Sequence, residues 1–296
     1  NSLPPPNLPM SFNNFPLILI RGGGDLASGV ALRLHRVGFQ AAILELPAPL
    51  AVRRKVSFSE AVYESVHTVE AVTARLVSAD QFQVALEAGE IPVLIDPEAN
   101  ILRNQFLTSP KSTFVVDARL LKSAPEPLLS DVALHIGLGP GFRAGENCHA
   151  VIETCRSHTL GRVLWSGETL PDSGQPEGDP RRVLRAPISG CVKPLKQIGD
   201  HCVEGEEIAE IQSSIPFGHD VENRKSPSGT MSKIVSPFSG VLRGLIHPHV
   251  EVTEGMKIGD IDPRDDSSIC FLVSDKALSV GGGVLEAILI KLKEME

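Results

Sequence analysis

The chain has 296 residues, 42% of them apolar, and a formal net charge of −8 from 36 acidic and 28 basic side chains. That length is enough for two domains with cores of their own, while the acidic balance and 4% aromatic content exclude a general nucleic-acid binder or a base-stacking surface. Five scattered cysteines do not make a disulfide framework, no apolar run approaches bilayer length, and no hydrophobic leader is visible, so the expectation is a cytoplasmic protein with neither a membrane nor a nucleic-acid partner.

The Pro/Asn-rich start, 1–15, reads as a disordered extension. Leu17–Ile20 is an apolar run of strand length, and Leu26, Val30, Leu34 and Val37 then recur at helical spacing. Between them, Gly22-x-Gly24-x-x-Ala27 occupies the strand-to-helix turn where a dinucleotide fold cradles phosphate. Ala41–Leu46 is a second strand. Its Glu45 lies about twenty residues past the glycines, the usual place for an acid that grips a ribose hydroxyl. Arg21, Arg53 and Arg54 offer positive charge beside that turn, whereas Asp25 would repel a bound phosphate unless a cation intervened.

Further on, Ser59–Tyr63 suits a short helix, Thr68–Val77 an exposed or edge strand, and Asp80–Ala88 a helix ended by Gly89. Ile91–Ile95 and Phe114–Val116 are buried strands that stop at Asp96 and Asp117, and His135–Ile136 runs into the glycine loop Gly137, Gly139, Gly141. Alternation of this kind predicts a doubly wound, mainly parallel Rossmann-like sheet whose ligand lies beyond the carboxyl ends of the strands. Asp96 and Asp117 fit either that site or turn and capping roles, and the Gly137–Gly141 loop either a binding loop or a tight crossover. Ala150–Thr154 and Arg162–Trp165 read as strands. Around them, Cys148, His149, Cys155 and His158 form the densest set of metal-capable side chains, but the paired short spacings of a closed zinc site are missing and no metal is expected.

Residues 167–182 form a Gly/Pro/acidic linker between a Rossmann-like domain, 16–166, and a β domain, 183–263. The second half contains a repeat: Ala186–Ile211 aligns without gaps on Ser236–Ile261, with eight of twenty-six positions identical, among them Pro187/Pro237, Ser189/Ser239, Gly190/Gly240 and Gly205/Gly255. Two such copies suit half-barrels that close on each other. This half resembles the biotinyl/lipoyl carrier fold, a barrel-sandwich hybrid, but a long polar insert, 212–235, replaces the short hairpin that carries the modified lysine, so the barrel is expected to serve docking or shape. Finally, Gly281, Gly282 and Gly283 stand directly before an apolar stretch, Val284–Leu292. They suit a second glycine-rich helix start or close helix packing, on a segment 264–296 that returns to the first domain.

The stretches IRGGGDLASGVALRLHRVGF, VRRKVSFSEAVYE, TVEAVTARL, IPVLIDP, VVDARLLK, IGLGPGFRAGENCHAVIET, KIGDIDPR and SDKALSVGGGVLEAIL resemble the YqeB family, accessory proteins of selenium-dependent molybdenum hydroxylase systems. Two features depart from that family: Cys155 stands where Asn is expected, and the insert is longer. The resemblance implies a maturation factor with a molybdenum hydroxylase as partner. On the residues themselves, the first expectation is a protein binding a phosphate-bearing ligand, either a nucleotide or molybdenum cofactor. The alternatives are an NAD(P)-dependent oxidoreductase with His149 or Asp117 as acid/base, and a non-catalytic docking chaperone. A sulfur- or selenium-transfer role would fall to Cys148, which glycine-rich turns would leave accessible.

Overall fold

The computed structural model describes residues 15–104, 112–128, 131–174, 178–213 and 231–296. The proposed extension lies outside them but for its last residue, as does most of the long insert. The chain divides into two compact units. Residues 1–49, 57–173 and 273–296 make the first, and residues 50–56 and 174–272 the second. The short 50–56 segment has no compositional mark that assigns it to the second unit.

In chain order the first unit contains β1 (Leu17–Arg21), α1 (Asp25–Arg36), β2 (Ala41–Glu45), α2 (Ala61–Glu64), β3 (Val66–Val69), β4 (Val72–Leu76), α3 (Phe82–Glu87), β5 (Ile91–Ile95), β6 (Thr113–Asp117), β7 (Leu134–Leu138), β8 (Arg143–Ala144), β9 (Ala150–Ile152), β10 (Val163–Leu164), β11 (Gly167–Glu168) and, at the end of the chain, α4 (Asp275–Met295). Nine strands form one sheet in the order β10-β9-β7-β6-β1-β2-β5-β4-β3. Seven neighbouring strands run parallel, with β10 and β3 antiparallel at the two edges. The central strands β1, β2, β6 and β7 are short, apolar and buried nearly throughout, as strands covered on both faces must be. Leu19, Ala42, Leu44 and Val115 join Phe82, Ala85 and Leu86 of α3 in one cluster on one face. Their neighbours along each strand point to the opposite face, which α1 and α4 cover together.

The expected single strand at 68–77 is instead the β3–β4 hairpin, turned at Glu70 and Ala71 with φ of 46° and 69°. No Gly or Asn marks that turn. The larger correction concerns Gly281–Gly283, which lie in the body of α4 and not at its start. The Ser274 side chain accepts the Ala277 N–H as the N-cap, so the helix begins six residues earlier. The glycines let backbones touch. A Cβ on Gly281 would lie 2.7 Å from the Gly29 carbonyl oxygen of α1, and one on Gly283 2.1 Å from that of Gly161. Close helix packing is therefore the role observed. By length and composition alone, Ser267–Met295 would also pass for a membrane span, which a search for unbroken apolar runs does not detect. Its Ala277, Val280, Val284, Ala287 and Ile288 are buried within the unit.

The second unit comprises β12 (Val183–Arg185), β13 (Gly190–Pro194), β14 (His201–Cys202), β15 (Glu207–Gln212), β16 (Met231–Val235), β17 (Gly240–Leu245), β18 (Glu251–Val252) and β19 (Lys257–Asp262). They form two four-stranded sheets, β12-β19-β17-β14 and β16-β15-β13-β18. The repeat is exchanged between them: β14 of the first copy pairs with β17 of the second, Cys202 opposite Gly240, while β18 of the second pairs with β13 of the first, Val252 opposite Gly190. Conserved turn contacts follow the same rule. Ser239 Oγ accepts the Glu204 N–H at 3.3 Å and Ser189 Oγ accepts the Glu254 N–H at 3.1 Å. In the sheet of the second copy, Asp260 and Asp262 are each 1% exposed and ion-paired to Arg182 and Arg243, with Arg264 also on Asp262.

Candidate functional site

The chain steps outward from β1 to β2 and β5 on one side, then returns to β6 and β7 on the other. The order therefore reverses between β1 and β6, and in open α/β sheets the crevice beyond such a reversal is where ligands bind. The first glycine turn stands at one lip. Gly24 is the residue before α1, with no side-chain cap on the helix and extended backbone at φ −66° and ψ −175°. A Cβ placed on it would meet nothing within 4 Å, so Gly24 has room for a side chain. The Ser28 N–H closes back on the Gly24 carbonyl and the Leu26 N–H is taken by Asp25 Oδ1 at 3.0 Å, leaving the remaining first-turn donors directed along the helix axis.

Glu45 does something other than expected. It is 7% exposed, and its carboxylate accepts the Gly23 N–H at 2.6 Å and the Leu46 N–H at 2.7 Å. Burial raises its pKa while the two backbone hydrogen bonds lower it, and burial wins. The acid thus fixes the glycine turn from beneath instead of reaching for a ribose. Ser59, whose N–H donates to the Gly23 carbonyl, keeps a buried hydroxyl with no hydrogen-bond partner among the described residues, next to the same turn.

The other lip is built of charge. Arg21, at the end of β1, is 3% exposed and donates to Asp117 Oδ2 (3.3 Å), the Pro97 carbonyl (3.1 Å) and Glu126 Oε1 (3.0 Å). Arg119 grips Asp117 through Nε and Nη2 and meets the same Glu126 oxygen through Nη1. Asp117 is fully buried between the two guanidinium groups, so it is a structural counter-ion and not an acid/base exposed to substrate. Arg21 is likewise paired, not poised as a bare phosphate contact. Burial works against ionisation of Glu126, yet hydrogen bonds from Arg119 and Arg21 pull its carboxyl down to about 2. No sequence pattern announced Glu126, which lies in a Pro/Ser-rich stretch.

Beside this network, His135 of β7 sits 6% exposed, with its ring edge-on to Phe142 and its Nε2 buried without a partner. Burial pushes its pKa down to about 4, against the pull of Asp117. Its backbone N–H donates to His149 Nδ1 at 2.8 Å, and burial lowers the pKa of His149 as well. Cys148 is 8% exposed and burial drives its thiol up to about 11, which is the reverse of an activated nucleophile. The expectation of an accessible Cys148 is thereby corrected. The Gly137–Gly141 loop is filled from within: Cβ atoms there would strike the Phe142 ring, Thr154 Oγ1 and the Ser123 carbonyl. It is a packed crossover, not an open cradle. Asp96 accepts the N–H groups of Asn100 (2.9 Å) and Ile101 (2.8 Å), the capping alternative. Arg53 and Arg54 belong to the second unit, where they donate to the carbonyls of Leu272 (3.3 Å) and Leu245 (2.8 Å).

No family model matches the chain. Among solved structures, an aspartoacylase family protein from Mesorhizobium loti is 12% identical, covering 84% of this chain and 85% of that one, with a TM-score of 0.25. The product-bound ectoine utilization protein EutE from Ruegeria pomeroyi is 14% identical over 83% and 85%, also with a TM-score of 0.25. Likeness at that level carries no argument. The uncharacterized protein YqeB of Escherichia coli K12 is different: it is 40% identical over 283 residues, 94% of this chain. The chain spans about half the length of that relative, 48%. Over almost its whole length, then, this chain is similar to YqeB.

Proposed function

We propose that the first unit binds a phosphate-bearing small molecule in the crevice between β1 and β6, with the phosphate accepting hydrogen bonds at the start of α1. The observation that carries this reading is the N-terminus of α1 behind Gly24, which supplies no capping side chain, has room at its Cβ and lies at the reversal of strand order, with the Leu26 N–H held by Asp25. The orphaned hydroxyl of Ser59 beside the turn is a further polar group in want of a partner. The unit is read as Rossmann-like in this sense, and the second unit as a barrel-sandwich hybrid of the carrier type in which each sheet takes strands from both copies.

Resemblance to the YqeB family extends the reading to an accessory role in maturing a selenium-dependent molybdenum hydroxylase, in the cytoplasm, with that enzyme as partner. Molybdenum cofactor, as cargo, carries a phosphate of the kind this turn would hold. The oxidoreductase alternative is weaker because Glu45, its ribose contact, is spent on the Gly23 and Leu46 N–H groups. The docking chaperone needs no site at all.

Thermal unfolding with inorganic pyrophosphate, ATP, CTP, NADP and molybdopterin nucleotides tests the proposal. A ligand at a hundredfold its Kd stabilises by about 2.7 kcal/mol, which such a scan resolves. The decisive variant is Gly24→Asp. Its φ and the free space at Cβ permit the side chain, which would cap α1 and occupy the anion position. The stabilisation by ligand should disappear while the unliganded protein keeps its Tm. Absence of any shift in the parent protein, or an undiminished shift in the variant, removes the reading.

A further inference from the structure

Arg21 ends β1 and Arg119 follows β6, and both donate to one oxygen, Oε1 of Glu126. The three side chains are not equivalent. Arg21 is 3% exposed and Arg119 19%, but Glu126 is 50% exposed. Asp117, wholly buried, is shared by both guanidinium groups and compensates one positive charge. Among the described residues, the second charge is compensated by a carboxylate at the surface, and residues 118–128 around it form no helix or strand. A half-exposed carboxylate of this kind is reached from solvent, which makes it the member of the group open to exchange. Removing it without replacement would leave buried guanidinium groups short of acceptors, so whatever displaces it must itself be an oxyanion. Arg21 also has a donor to spare: its Nε is buried with no acceptor among the described residues. The Arg21 Nη2 contact to the Pro97 carbonyl, just past β5, ties a third strand end into the same place.

We propose that Arg21 and Arg119 form an oxyanion subsite in which the Glu126 carboxylate is a built-in stand-in, displaced when an anionic group of the ligand, phosphate or carboxylate, enters. The inference rests on the reading of this crevice as a ligand site, and adds to it a second anion position and a self-competing residue. Ligand affinity is then set partly by the strength with which Glu126 holds its place. The ligand it fits carries two anionic groups, one for the start of α1 and one for the arginine pair.

Titration calorimetry with inorganic pyrophosphate and with acetate on Glu126→Ala tests it. Loss of the internal competitor should tighten oxyanion binding at least tenfold. The gain should persist in Gly24→Asp/Glu126→Ala and vanish in Arg119→Gln/Glu126→Ala. Preference for pyrophosphate would assign a phosphate group to the subsite, and preference for acetate a carboxylate. A folded Glu126→Ala protein with no gain for either anion overturns the proposal, as does a gain abolished by Gly24→Asp. If Glu126→Ala does not fold, Glu126→Gln, which keeps an acceptor for both guanidinium groups, carries the test: at least a threefold gain is expected, and none refutes it. A parent protein silent to every phosphate ligand, together with a Glu126→Ala gain that survives Gly24→Asp, sinks the α1 reading and leaves the subsite standing.

Discussion

Gly22–Gly24 stands at the mouth of a helix, whereas Gly281–Gly283 stands inside one. In the first triplet Gly23 is buried, its N–H held by Glu45 and its carbonyl by the Ser59 N–H, and it is Gly24 that has nothing within 4 Å of where a side chain would begin. In the second, Gly281 and Gly283 are pressed against the carbonyl oxygens of Gly29 and Gly161, and only Gly282 between them is open. The difference is made by neighbours. Ser274 caps α4 well before its glycines, so their N–H groups are already within the helix, while Gly24 gives α1 no capping side chain and Asp25 takes the Leu26 N–H. A glycine run before an apolar stretch is therefore an anion site only when the helix starts there.

Several measurements can break or sharpen this contrast. Gly283→Ala should cost the most, about 3 kcal/mol or more in denaturant unfolding, because a Cβ 2.1 Å from a backbone oxygen forces α4 away from the Gly161 loop. Next in size is a pH effect at the charged lip of the crevice. His135 has a folded pKa of about 4, below its ordinary 6.5, so between those values the unfolded chain binds more protons. The stability it contributes is fully present above pH 6.5 and is lost as pH falls towards 4, by up to about 3 kcal/mol. His135→Gln should flatten urea midpoints across that window. Glu126, held at about 2 against an ordinary 4.5, acts in the same sense lower down, between pH 4.5 and 2. Gly282→Ala should have the opposite sign to Gly283→Ala and stabilise by about 0.5–1 kcal/mol, since it removes unfolded-state freedom at a helix position with room for a methyl group. The smallest effect is expected of Gly24→Asp without ligand, a gain of a few tenths of a kcal/mol at most. A large loss there would mean that the turn is not open.

The parallel core was legible because β1, β2, β5 and β6 are short apolar runs ended by Gly, Pro or Asp, and period and punctuation agree. The β3–β4 turn was not, because its left-handed residues are Glu70 and Ala71, held by tertiary context without a residue that favours them. The start of α4 is obscured for a different reason: the glycines mark a boundary more strongly than Ser274 and Asp275, which carry the capping signal. At the site, the glycine turn could be read directly. Of the charged group, the pairing of neighbours Asp117 and Arg119 could be read, but its meeting with Arg21 and Glu126 could not, since Arg21 and Glu126 stand 105 residues apart and no spacing rule reports such a meeting. Glu45 shows the same limit, being rightly located at its strand end but committed to the turn it was expected to leave free.

The exchange of strands in the second unit has a consequence for how the chain acquires its structure. Cys202 faces Gly240 and Val252 faces Gly190, so neither copy of the repeat can complete a sheet from its own residues. The pairings are long in sequence separation, and loop closure must precede any reward from them. This unit is consequently expected to form late and in one step, with no half-folded stage that keeps one copy intact. Synthesis of the first copy alone would yield chain in waiting, with both of its unpaired edges exposed until the second arrives.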